Sequence, residues 1–439
     1  MSLETPTPGE PSRAELGTAV GSRSRRTSLW RHRDFVKLWT AQTITQFGDE
    51  ITQLALPLVA ILTLSATPFQ IGLLGTLQFL PFILLTLPAG VWVDRMRRRP
   101  VLIAADIGRA LLLLSIPAAF LAGRLSIEHL YVVAFAVGCL EVFFDVAYQS
   151  YLPAVVERDQ LVEGNAKLEL SNSAASVIGP GIAGFVVELV RAPIAIVFHT
   201  FAYLSAIVFL GLIRRSEPPI PPHDPATGKR PSMLEEGRAG LGYVLRHRYL
   251  RNIAACTGTL NLFGNLGGVI LVLYIVNELG INPGTLGLIF AIANVGVLIG
   301  ALTAERLASW IGVGRTIVWS AFLSPFSLVL VAIAPGDAPV PFLVVGGVIG
   351  AATSVIYNVN QVSLRQAITP ERMLGRMNAT MRFIVWGTIP IGALAGGYLG
   401  GLIGLQATIW VGAIGSFVGF LPVLFSQVRT LQRMPEGPE

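Results

Sequence analysis

The stretch QIGLLGTLQFLPFILLTLPAGVWVDRMRRR, residues 70–99, decides the fold. From Gln70 to Val93 it holds no Asp, Glu, Lys or Arg. As a helix rising about 1.5 Å per residue it is long enough to cross a hydrocarbon core of about 30 Å. Asp94, Arg95, Arg97, Arg98 and Arg99 then follow in quick succession. An apolar run stopped by arginines is the pattern of a membrane span whose end stays on the basic side. Outward from it the pattern recurs, with spans expected near 35–63, 101–121, 128–152, 166–190 and 194–213. After a break come 250–279, 284–308, 315–334, 340–364, 377–401 and 404–427. The chain is 53% hydrophobic and 13% charged, against about 25% charged in soluble domains. The expected fold class is an all-α membrane protein with twelve transmembrane helices.

Basic residues set the orientation, because they are retained on the cytoplasmic side. One side would hold Arg23, Arg25, Arg26, Arg31 and Arg33, the 95–99 cluster, Arg214 to Arg248, and Arg429 with Arg433; the other holds only Arg124 and Arg191. Both termini are therefore expected in the cytoplasm of a cell with the chain in its inner membrane. The expected organisation is a disordered tail at 1–34, a six-helix bundle at 35–213, a linker at 214–249, a second bundle at 250–428 and a tail at 429–439. Pro218, Pro219, Pro221, Pro222 and Pro225 stop any helix at the start of the linker. Ser232 and Glu235 then have capping-box spacing ahead of an amphipathic helix.

A shift of 213 residues exposes an internal repeat. Asn165-Ala166 meets Asn378-Ala379, Gly179 meets Gly392 and Gly184 meets Gly397, while a shift of 211 lays Asp94-Arg95 on Glu305-Arg306. Six spans separate the partners, so the two bundles are expected to be pseudo-symmetric parallel repeats.

Gly90, Asp94, Arg95, Arg98 and Arg99 read G-x-x-x-D-R-x-x-R-R. In this the chain resembles the major facilitator superfamily, whose cytoplasmic loop between spans two and three carries such a motif; Glu305 and Arg306 look like its degenerate second copy. Within the superfamily the chain looks most like the branch of enterobactin exporters, macrolide-efflux permeases and lysophospholipid flippases. Three segments carry that likeness: Gly48-Asp49 with Ala55-Leu56-Pro57, Asp145 with Tyr151-Leu152-Pro153, and Leu374-Gly375-Arg376 with Asn378-Ala379 and Trp386-Gly387. Gly179-Pro180 with Gly181 and Gly184 resembles part of the superfamily's antiporter motif, although plain helix packing would also account for it. The resemblance implies the major facilitator fold, with spans one, four, seven and ten lining a central cavity. It also implies a cytoplasmic gate at the loop motif, for which Arg109 is a possible partner.

Ionisable groups at bilayer depth cost about 2.5–3.5 kcal/mol each on insertion scales, so they face a bundle interior or a pathway. Gln42, Gln46, Asp49 and Gln53 fall on one face of span one, with Glu50 about 100° round. Glu141, Asp145 and Gln149 share a face in span four; Thr257, Asn261 and Asn265 in span seven; Asn358, Gln361 and Arg365 in span ten. Asp49 and Glu141 are the expected proton-coupling acids, with Glu50 and Asp145 assisting. Gln46, Gln53, Asn261, Asn265, Asn358 and Gln361 are the expected substrate cavity. Desolvation favours a neutral carboxyl, so such acids can load and release a proton as the cavity changes its opening. Fixed pairing of these acids with Arg109 or with helix ends is the structural alternative. Glu169 and Arg382 occupy equivalent places in the repeat and could pair across the halves. His199, among Phe198, Phe201 and Tyr203, reads as packing.

The two cysteines form no metal or disulfide framework, no Walker loop is present, and no hydrolase or dinucleotide motif occurs. No enzyme and no cofactor is expected. A proton gradient would supply the energy, and the partners would be a small molecule, protons and lipid, with no nucleic acid, for a monomer. The expected function is proton-coupled efflux, by antiport and alternating access, of a lipophilic or amphipathic solute such as a drug, macrolide or siderophore. A lipid flippase of the same fold and a non-transporting membrane scaffold remain the alternatives.

Overall fold

The computed structural model describes residues 29–93, 95–157, 160–214 and 233–435. The tail before residue 29, Asp94, the proline run of the linker and Ser232 lie outside them. The described residues are helical, with no strand among them. The first half comprises α1 (Arg33–Leu58), α2 (Pro68–Val93), α3 (Arg98–Leu121), α4 (Ile127–Val155), α5 (Leu161–Val190) and α6 (Ala192–Gly211). After Pro57, which lacks a donor, α1 loosens into a π turn at Val59–Thr63. The linker contributes α7 (Met233–Arg246). In the second half α8 (Leu250–Gly268) continues into α9 (Leu271–Asn277), followed by α10 (Pro283–Ile311). Next, α11 (Val313–Leu323) continues into α12 (Phe326–Ala332), before α13 (Val340–Ile368) and α14 (Glu371–Ile403). The last span is α15 (Leu405–Gly419) with α16 (Leu421–Leu424).

Eleven of these spans are long and apolar enough to cross a membrane. The twelfth, α1, is diluted by Gln42, Gln46, Asp49, Glu50 and Gln53, yet it packs between α5 and α6 like the rest of the bundle. Neighbour relations repeat between the halves. In the first, α1 packs on α5 and α6, α2 on α4, and α3 on α4 and α6. In the second, α8 packs on α14 and α15, α10 on α13, and α11–α12 on α13 and α15. The halves meet through two exchanged contacts, α2 with α14 and α5 with α10.

Glycine makes both of those crossings. A Cβ on Gly397 would stand 2.7 Å from Gly72 Cα, and one on Gly287 would stand 2.7 Å from Gly184 Cα. Backbones approach this closely only where no side chain intervenes. Gly184 and Gly397 are partners under the 213-residue shift, so the repeat's own glycines join the halves. Across the same crossings Thr76 Oγ1 donates to Pro390 O at 3.1 Å, and Asn294 Nδ2 to Ser176 O at 2.5 Å.

The apolar core is divided unevenly along the long axis. At the end away from the termini one cluster runs through both halves, uniting Ile71, Leu130 and Ile196 with Leu273, Leu286 and Ile409. At the terminus-bearing end there are two clusters. One belongs to the first half, around Phe35, Leu102 and Tyr151, and the other to the second, around Leu250, Ile317 and Met377. The halves are thus sealed together at one end and parted at the end that carries the termini. Helix α7 lies on the second half there, with Gly240 against the Arg376 carbonyl and Val244 buried.

Candidate functional site: a charged cluster between α1, α3, α4 and α6

Asp49, Asp106, Arg109, Glu141 and Asp145 converge inside the first half. Arg109 lies eleven residues along α3, about 16 Å from the helix start at 1.5 Å per residue. Asp94, its expected gate partner, lies outside the described residues, and at this depth Arg109 is held by other groups. Its NH2 group donates to Asp106 Oδ1 at 2.5 Å, and the two side chains are 3% and 0% exposed. Phe144 and Tyr203 cover the guanidinium, with ring centroids 4.2 and 4.6 Å from Cζ. Burying an isolated charge is costly, and the ion pair with two aromatic faces compensates that cost. Asp49, Glu141 and Asp145 also lie within electrostatic range of Arg109.

Asp49 occupies the edge of the cluster. His199 Nε2 comes within 3.1 Å of its Oδ1, and Tyr203 Oη donates to the same oxygen at 3.4 Å. The Asp49 side chain stays 47% exposed while that of His199 is 3% exposed. The opposite ring nitrogen, His199 Nδ1, is 2.7 Å from Thr52 Oγ1, which fixes the ring's rotation. Gly48 makes room for this ring, since a Cβ there would collide with it. His199 packs on the Tyr203 ring, 4.1 Å between centroids, as its reading as packing expects, and it also faces an acid.

Glu50 points elsewhere. Gly179 of the Gly-Pro segment packs against its Cβ and Cγ, so Glu50 lies in the α1–α5 contact. Among the described residues no ion pair or hydrogen bond holds the carboxylates of Glu50, Glu141 or Asp145. The structural alternative, pairing with Arg109, is taken up by Asp106, a residue outside the four expected acids.

Family membership follows from comparison with known proteins. The sequence pattern of the Major Facilitator Superfamily matches residues 38–267 and again 253–438. The chain belongs to the Major Facilitator Superfamily. It is 26% identical over 380 residues to the multidrug efflux pump Tap of Mycolicibacterium fortuitum, covering 82% of this chain and 88% of that one. It is 25% identical over 417 residues to the enterobactin exporter EntS of Salmonella choleraesuis, covering 93% and 96%. A bacterial homologue of the iron transporter ferroportin, solved in an inward-facing state, superposes with a TM-score of 0.70 at 18% identity, covering 89% of this chain and 98% of that one. The nucleoside transporter NupG does so with 0.69 at 14%, covering 89% and 99%. These two structures share the fold. The protein is a multi-pass membrane transporter of a small-molecule solute.

Within this superfamily fold the second half carries uncharged polar groups at the matching depth together with Arg382, eleven residues into α14 and within electrostatic range of Asp145. Thr257 Oγ1 lies 2.7 Å from the Tyr357 hydroxyl, joining α8 to α13. Asn261 Nδ2 donates to Val385 O of α14 at 3.4 Å, and Asn265 Nδ2 to Asn261 O at 2.8 Å. Gln361 is buried and donates to Asn358 Oδ1 at 3.0 Å, while Asn358 is exposed. Gln53 is exposed on α1, and Gln46 carries a buried Oε1 with no partner. Of these six residues Asn261 ties α8 to α14, Asn265 and Gln361 bond within their own helices, and Gln53 and Asn358 are exposed. Phe144 and Tyr357 are buried packing residues, whereas Trp386 remains 36% exposed and touches Phe82 across the halves at 5.5 Å. Arg382 stacks on Trp386 at 5.5 Å and makes no ion pair with Glu169.

Of the loop motif, all but Asp94 lies among the described residues. Arg99 caps the C-terminus of α6, its Nε donating to Leu210 O at 2.8 Å and its NH2 to Gly211 O. Arg95, Glu305 and Arg306 are exposed, and Gly90 has open space beside it. Asp94 falls outside the described residues, so its gating role is not addressed by the geometry.

Proposed function

We propose that the protein exports a lipophilic or amphipathic solute across the inner membrane in exchange for protons, by alternating access. The observation that carries this reading is Asp49, half-exposed at the edge of a buried charge cluster and set against His199. Arg109 and Asp106 form a nearly neutral buried pair, which leaves Asp49 against His199 and leaves Glu141 and Asp145 without an ion pair. Closing the cavity over a charged carboxylate strips its water, and protonation removes that cost. A proton on these acids therefore favours resealing, and a solute that enters discharges them. Arginines at the open end support a cytoplasmic placement of both termini, so the state described accepts solute from the cytoplasm. The exporters EntS and Tap, spanned over most of their length, support the outward direction. Exposed Trp386 supports an apolar or aromatic solute. The energy source is the proton gradient, no cofactor takes part, the solute leaves chemically unchanged, and the carrier works as a monomer. Glu50 assists by holding α1 against Gly179 of α5.

A lipid flippase is the second reading. What favours it is a shallow apolar groove on the outer face between α5 and α10, lined by Ile178, Ile182, Phe185 and Ile292. Everted vesicles loaded with dyes, macrolides and catecholate siderophores test the two. Accumulation that collapses when the pH gradient is dissipated supports the exporter. Lipid translocation indifferent to pH supports the flippase.

A further inference from the structure

A groove of about 530 Å³ opens on the outer wall of the second half, at the terminus-bearing end, between α11, α16 and the turn Gln427–Thr430. Its chemistry changes with depth. Arg315 stands in the first turn of α11, and Val318, Trp319 and Phe322 follow roughly 4 to 10 Å further along the axis. On the facing wall Phe420 and Leu424 lie below Arg429, Thr430 and Gln432. The rim is basic and polar and the floor is apolar, with the Phe322 and Phe420 rings 5.1 Å apart.

The rim is built into the fold. The Val313 and Gly314 amides donate to Gln432 O and Leu431 O at 3.4 and 2.9 Å, and Val428 is fully buried. No acid lines the groove, and among the described residues neither Arg315 nor Arg429 makes an ion pair. Trp319 is 53% exposed at the depth where tryptophan favours the interface of a bilayer.

We propose that this groove binds an anionic phospholipid, with its phosphate between Arg315 and Arg429 and its acyl chains over Trp319, Phe322 and Phe420. Guanidinium groups match phosphate geometry, and basic pockets between spans select anionic head groups. A soluble phosphate would leave the aromatic floor uncovered, and a neutral lipid would leave two arginines unpaired. The site is separate from the charge cluster and does not depend on proton coupling.

The test is native mass spectrometry of the full-length protein with phosphatidylglycerol and phosphatidylcholine of identical chains. The unaltered protein is expected to prefer phosphatidylglycerol by about thirtyfold, the contribution of two arginines at a membrane surface. Arg315→Ala with Arg429→Ala is expected to erase the preference, the paired Arg→Lys changes to keep most of it, and Trp319→Ala to weaken both lipids alike. Excess inorganic phosphate is expected to leave the lipid bound. Equal retention of both lipids by the unaltered protein overturns the proposal without any variant. An unchanged preference in the double alanine protein, or displacement by inorganic phosphate, overturns it too.

Discussion

His199 Nε2 approaches Asp49 Oδ1 to 3.1 Å across the α1–α6 contact, joining an almost fully buried ring to a half-exposed carboxylate. The ring is held from behind by Thr52, so a change in the charge of Asp49 is felt by a group that cannot turn away. Asp49→Asn keeps the shape and an acceptor for Tyr203 but removes the titratable proton. Proton-driven export is expected to fall by about 5- to 150-fold, the span of a coupling free energy of about 1–3 kcal/mol. Initial rates in everted vesicles measure it. His199→Gln is expected to move the pH profile of transport while leaving solute binding in place.

Arg109 and Asp106 behave as one unit in this account. Removing Asp106 alone leaves a buried, uncompensated guanidinium, expected to cost about 3–5 kcal/mol, and removing Arg109 alone is comparable. Asp106→Leu with Arg109→Leu is expected to lose less than either single change, because an apolar pair replaces an ion pair without stranding a charge. Thermal unfolding of the detergent-solubilised proteins checks the order of the three.

The glycine crossings hold the sealed end. A valine at Gly72 would push on the Ala393 carbonyl and Gly397, and one at Gly287 on the Pro180 carbonyl and Gly184. Either change is expected to open the end away from the termini. Spin labels at Arg124→Cys and Asp337→Cys, exposed on loops of the two halves at that end, are expected to report a longer distance.

Arg99 is a helix cap in this structure. Arg99→Ala is expected to lower stability by about 1 kcal/mol, through the lost carbonyl partners at the end of α6. Transport per folded molecule, normalised to the protein recovered by size exclusion, is expected to stay the same.

The twelve spans were legible because apolar length and basic stops act locally, and the repeat was legible because the glycines at the crossings are fixed by contact. What the sequence hid is tertiary. Phe198 and Phe201 suggest an apolar setting for His199, yet they are 48% and 62% exposed on the outer side of α6, while His199 points inward to α1. Neighbours in sequence lie on other faces of a helix, so they misreport the environment. Asp106 was readable in principle, since it stands one turn before Arg109 within an otherwise apolar run, the spacing of a helix ion pair. The loosening of α1 after Pro57 into a π turn carries no such signal beyond the proline itself.

In the proposed cycle solute export and proton entry are one event passing through Asp49. Purified protein in liposomes with an internal pH dye tests it most directly, with solute added under an imposed pH gradient. Proton flux is expected to begin with the solute, to scale with its transport and to disappear in Asp49→Asn. Solute movement at the same rate with no proton flux, or proton flux unchanged in Asp49→Asn, would contradict it.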